Sequence, residues 1–149
     1  MATAVGTSVV PLISSGTAGP LGALHLPRLW TKLTLYNAGV LADGYDFCGQ
    51  GFDQMTIDGL GLQRDAVLAF FKTKPTYMEF ERWVVAQNGG TISPETIRKH
   101  NDAIRGYNHG DDLAKGMRAS SGVSDAGIGD AVTLNTLEDL DELRSRVTA

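Results

Sequence analysis

The chain has 149 residues, of which 42% are hydrophobic and 20% charged, and its formal net charge is −4. That length suits one core-bearing domain, and no apolar run approaches the roughly 18 residues that a membrane span requires. Residues 1–110 hold nine basic and nine acidic side chains and residues 111–149 hold four against eight, so the basic stripe that a nucleic-acid backbone needs is missing and neither nucleic acid nor membrane is expected as a partner.

The single cysteine, Cys48, permits no internal disulfide, and Arg28 is the first basic side chain, so the start lacks the charged region of a secretory signal. Both features point to the cytoplasm.

Residues 1–23 are rich in small residues and uncharged, an irregular arm without periodicity. Pro27 then marks the first turn of a helix whose Leu26, Leu29, Leu33, Tyr36 and Val40 recur every three or four residues and which ends near Gly39. The segment from Asp43 to Asp53 sets three glycines among aromatics and acids, the composition of a shaped loop. Asp53 suits the cap of a short helix from Gln54 to about Leu60, and Gln63 to Lys72 reads as another.

Pro75 is placed to open a helix through Gln87, striped by Tyr77, Phe80 and Val84. Ser93-Pro94-Glu95 starts a further one that reaches about Tyr107, after which His109 beside Gly110 reads as a helix-end residue. A short helical piece from Asp111 to Ala119 leads into a Ser/Gly-rich linker. The chain then closes with an amphipathic helix from Leu137 to Val147, striped by Leu137, Leu140, Leu143 and Val147, with Glu138 and Asp139 in its first turn. No alternating run suggests a sheet, so the expected class is all-α: an arm (1–23), a helical core domain (24–108), and a linker with a C-terminal helix (109–149).

The chemistry concentrates at the start of the first helix. Arg28 and Lys32 are four apart on one face, and His25 sits in the chain entering it. Cations beside a core need an anionic answer, either a substrate or the acids of Asp46, Asp53 and the tail. The functional expectation makes Arg28 and Lys32 an anchor for a carboxylate or phenolate, His25 a general acid or base, and Asp53 the carboxylate that orients His25. Trp30, Tyr36, Tyr45, Asp46 and Cys48 would wall the pocket. His100 and Asn101 interrupt the stripe between Ile97 and Ile104, so they are further candidates to line it.

Three histidines and one cysteine at scattered positions 25, 48, 100 and 109 lack the spacing of a metal site, and Gly49-Gln50-Gly51 lacks the rest of a dinucleotide fingerprint. Neither metal nor cofactor is expected.

Gly22 through Arg28 to Lys32, then Gly44-Tyr45, Cys48-Gly49 and Gly51-Phe52-Asp53, then Pro75-Thr76-Tyr77, Trp83-Val84 and Ser93-Pro94-Glu95 to His100-Asn101, together resemble a bacterial family of short helical proteins known as domain of unknown function five-zero-six-nine, over about residues 20–108. The resemblance implies a mostly helical domain with the Leu-Pro-Arg helix and the Gly-Phe-Asp loop as its signature, and residues 109–149 as an extension. The expected function is a lyase or isomerase acting without cofactor on a small organic anion. The alternative is a binding module, or one that assembles into a homo-oligomer through the C-terminal helix.

Overall fold

Leu26, Leu29 and Leu33 repeat at helical spacing and are almost wholly buried, which makes α1 (Leu26–Asn37) the central element of the core. The computed structural model describes residues 8–123 and 127–148. Around α1 lie α2 (Phe52–Gly59), α3 (Arg64–Phe71), α4 (Tyr77–Gln87) and α5 (Pro94–Gly106), followed by α6 (Asp111–Ser120) and α7 (Ala131–Thr148). The class is all-α as expected. Among the described residues the only β-pairings are isolated bridges, Val9 with Leu41 and Asn108 with Asp130.

The main core joins α1 to α3 and α4 through Leu29, Leu33, Val67, Phe71, Phe80 and Val84, extended by the stacked rings of Phe70 and Trp83 at 4.8 Å. A second cluster of Leu24, Phe52, Ile104 and Ala131 ties α2, α5 and α7 together at the entrance to α1. Ala114, Met117 and Leu134 pack α6 on α7. The functional side chains therefore lie where α1, α2 and α7 converge.

Three helix starts differ from the sequence expectation. Asp53 does not cap α2; the cap position is Gly51, with no side-chain bond, because the Asp53 carboxylate turns inward to the Lys32 ammonium and the His25 ring. Pro75 lies just outside α4, whose start is a reciprocal Thr76–Glu79 capping box that satisfies two otherwise open backbone N–H groups. And α7 begins at Ala131, six residues before Leu137, where the Asp130 carboxylate accepts from the Thr133 amide at 2.9 Å.

Glu138 and Asp139 are thus mid-helix residues, and the first turn of α7 holds no acid. Of the apolar stripe, Leu137 and Leu143 are half-buried, while Leu140 is 53% and Val147 71% exposed. Of the Ser/Gly-rich linker, residues 124–126 lie outside the described residues.

Residues 8–23 run along the helices without regular structure of their own. Val9 exchanges backbone bonds with Val40 and Ala42, at 2.7 and 3.0 Å, and His25 N–H reaches back to the carbonyl of Thr17 at 3.2 Å.

Candidate functional site

His25 caps α1 with φ 69°, a left-handed conformation that costs a non-glycine residue about 1–3 kcal/mol. α5 holds it there. Asn101 accepts from Leu24 N–H at 2.9 Å and donates to Gly22 O at 2.8 Å, while His100 donates from Nε2 to Leu24 O at 2.8 Å. Both residues were candidates to line a pocket; they clamp the segment that presents His25 and do not reach the cleft. Gly59 admits the His100 ring, since a Cβ there would sit 2.7 Å from its Nδ1.

With the backbone so held, the His25 ring is 2% exposed and donates from Nε2 to Asp53 Oδ1 at 2.6 Å. The Ser15 hydroxyl donates to Nδ1 at 2.9 Å. The other carboxylate oxygen of Asp53 takes Lys32 Nζ at 2.5 Å and the Gly49 amide at 2.7 Å. Burial opposes the charge of Asp53, but the His25 bond and the Lys32 ammonium outweigh it and hold the carboxyl down at about 2. For His25, burial pushes the imidazole below its ordinary value, and the bond to Asp53 offsets this only in part. At neutral pH the group is a neutral imidazole on an anionic carboxylate.

A second ionic pair adjoins the first. Arg28 forks onto Asp139 of α7 at 2.7 and 3.1 Å and also donates to the carbonyls of Pro11 and Ile13, at 2.7 and 2.8 Å. The Tyr45 hydroxyl donates to Asp139 at 2.9 Å. Burial and the Asp139 charge push the phenol above its ordinary pKa, so it stays protonated. The cation at the head of α1 is therefore answered from the acidic tail.

Above both pairs opens a polar cleft of about 250 Å³. His25, Arg28, Lys32, Tyr45, Asp46 and Asp53 all line it, as do Glu138 and Asn135 of α7 and the glycine loop from Gly49 to Gly51. One wall is a ladder of rings: His25 on Phe52 at 5.4 Å, Phe52 on Tyr107 at 5.4 Å, and Tyr107 on His109 at 5.9 Å. His109 is not the helix-end residue that its Gly110 neighbour suggested. α5 ends earlier, at Gly106, and the His109 Nε2–H donates to Asn135 Oδ1 at 3.1 Å.

Three other expected wall residues lie elsewhere. Trp30 donates to Pro75 O at 3.1 Å and packs edge-on to Tyr77. Tyr36, 49% exposed, stacks on Phe47 at 4.1 Å. The Cys48 side chain is buried in the main core and its carbonyl receives Arg64, so it offers no surface to a ligand. Ser15, His109 and Asn135 carry no sequence signal, since each reaches the site from a segment that no local motif joins to α1, whereas the acidic tail expected as one answer to Arg28 supplies it through Asp139. Among the described residues no three His, Cys, Asp or Glu converge as metal ligands would, and no helix is long and apolar enough to cross a membrane.

Fold and site define a small all-α domain in which a buried ionic network floors a polar cleft closed by the C-terminal helix. The chain belongs to the family described as domain of unknown function (DUF5069), whose model matches residues 15–144. That match takes in α6 and most of α7, so the helix supplying Asn135, Glu138 and Asp139 lies within the family region. No curated protein matches the chain.

Proposed function

We propose that the cleft is the active site of a small cofactor-independent enzyme, a lyase or isomerase, that moves protons on a small organic anion with aliphatic and aromatic acids as the candidate class. One observation carries this reading: a single buried carboxylate, Asp53, is shared between a neutral imidazole and an ammonium at the floor of an open cleft.

An isomerase or lyase needs a group to take a proton and another to return one. His25 rests neutral with Asp53 on Nε2 and the Ser15 hydroxyl on Nδ1, so it serves as the acceptor at Nδ1 once that hydroxyl turns away. His109, at the far end of the ring ladder, suits the group that returns the proton to the substrate or leaving group. Arg28 is consumed by Asp139 and two carbonyls, so its part is to hold the site together rather than to anchor substrate.

Anion binding falls to Lys32, whose ammonium has donors to spare beyond Asp53, assisted by the uncapped N-terminus of α2 at Gly51. Lys32 with Asp53 and Arg28 with Asp139 leave the floor neutral, so a single negative charge on the ligand is met when His25 takes up its proton. Asp46 and Glu138 at the cleft disfavour ligands of higher negative charge. A cytoplasmic setting suits the free thiol of Cys48.

The test is proton exchange: small carboxylates and phenols are incubated with the protein in D₂O and followed by NMR. Deuterium incorporation that is lost in Lys32→Ala supports the reading. No exchange across the panel, with no ligand-induced shift at Lys32 or Tyr45, overturns it.

A further inference from the structure

α7 has an outer face that the other described residues leave largely open. Thr133, Leu137, Leu140, Arg144 and Val147 follow one another at intervals of four, three, four and three, the spacing of a coiled-coil seam. Leu137 is half-buried, whereas Leu140 is 53% and Val147 71% exposed, an unusual display for apolar side chains on one helix face. The inner face is engaged instead, through Ala131, Leu134 and Asp139.

The charges on this face name its occupant. Asp141 and Arg144 are both exposed, and neither has an ion partner among the described residues. They stand three apart, on adjacent turns. A parallel copy of α7 would set Asp141 on Asp141 and Arg144 on Arg144. An antiparallel copy crossing between residues 142 and 143 sets each Asp141 against the partner's Arg144, twice by symmetry, and closes Leu140 and Val147 between the helices.

Exposed apolar groups of the arm widen the face. The Pro11 and Ile13 carbonyls rest on Arg28, which Asp139 holds, and Arg146 donates to Ser8 at 3.0 Å. Val9 and Leu12, 39% and 47% exposed, therefore run beside α7. An 18-residue helix is about 27 Å long, enough for about five turns of pairing.

The geometry points to a two-fold dimer of this chain through antiparallel α7 helices, with Asp141 and Arg144 as a reciprocal ion pair. This inference does not depend on the proposed activity. It does add that pairing would steady the helix that brings Asn135, Glu138 and Asp139 to the cleft.

Sedimentation equilibrium of the full chain across a concentration series tests it, with circular dichroism to confirm that each variant is folded. The wild type is expected to form a monomer–dimer equilibrium and Leu140→Asp to remain monomeric. Asp141→Arg and Arg144→Asp each weaken association by about tenfold or more, from the like charges they bring together. The double variant Asp141→Arg/Arg144→Asp restores the dimer. A monomeric wild type at all concentrations, a Leu140→Asp dimer, growth into open oligomers, or failure of the double variant to recover would overturn the inference.

Discussion

Arg28 and Asp139 stand 111 positions apart and meet as a two-armed buried pair, with bonds of 2.7 and 3.1 Å. Because the same guanidinium holds the carbonyls of Pro11 and Ile13, one side chain joins the arm, α1 and α7. The site exists only while these three segments stay together, since α7 supplies part of the cleft and the arm supplies the Ser15 hydroxyl on His25.

Removing one partner of that pair leaves a buried charge unanswered. Asp139→Ala is expected to lower unfolding stability by about 3–5 kcal/mol in urea titrations. Arg28→Met/Asp139→Leu removes both charges and should cost much less than the two single changes added together. A wild-type midpoint for Asp139→Ala would show that the pair is not what joins the tail to α1.

Acid should act through Asp53 in a defined window. Its folded value of about 2 lies below the ordinary aspartate value of 3.8, so the folded state releases its proton more readily than the unfolded chain does. The resulting stability, about 2 kcal/mol, is fully present above pH 4 and is lost as pH falls toward 2. Asp53→Asn should be less stable at pH 7 and should lack that part of the acid slope. Equal slopes between pH 4 and pH 2 in both proteins would count against the assignment.

Histidine titration gives a second, earlier slope. His25 and His100 both lie below the ordinary histidine value of 6.5, each chiefly because burial opposes the charged ring. The unfolded chain therefore takes up protons first as pH falls. Stability is complete above about pH 6.5 and declines below it until the folded rings also protonate. His100→Gln should flatten this decline when melting temperatures are compared from pH 7.5 to pH 5, and an unchanged decline would count against the assignment.

Much of this was legible in the sequence where the cause was local. The apolar period of α1, the serine cap of α5 and the paired positions of Arg28 and Lys32 all follow from spacing. What spacing does not contain is competition between distant groups. Asp53 looked like a cap because a cap needs one nearby oxygen, yet Lys32 and His25 offered its carboxylate stronger partners. Asp139 reads as a dipole-matched first-turn acid only for a helix starting at Leu137, and the Asp130–Thr133 bond sets the start at Ala131. Its actual partner could not be read from its neighbours. His100 and Asn101 were rightly seen as polar groups facing inward, but they satisfy backbone atoms of residues 22–24 rather than a ligand.

The arm offers a test of how tightly that local geometry is set. A Cβ on Gly19 would lie 2.6 Å from the Tyr77 hydroxyl and would collide with the Glu81 carboxylate. Glu81 is the group that accepts Leu21 N–H at 3.0 Å and the Tyr77 hydroxyl at 2.7 Å. Gly19→Ala should therefore break a buried polar cluster and cost about 1–3 kcal/mol. A melting temperature equal to that of the wild type would show that the arm yields without penalty.

The two histidines of the cleft should separate by variant. His109 sits at the rim with one bond, to Asn135, whereas His25 is enclosed with both nitrogens engaged. His109→Gln should keep the fold, the melting temperature and the binding of small carboxylates to Lys32, and should slow deuterium exchange into a substrate by about a hundredfold, the usual scale of a lost general acid or base. His25→Gln should slow exchange as well, but it should also lower the melting temperature, because Asp53 Oδ1 and the Ser15 hydroxyl both lose the ring they bond. If His109→Gln exchanges at the wild-type rate while His25→Gln does not, proton return belongs to another group of the cleft, and the protonated Tyr45 hydroxyl, held by Asp139, is the one placed to serve.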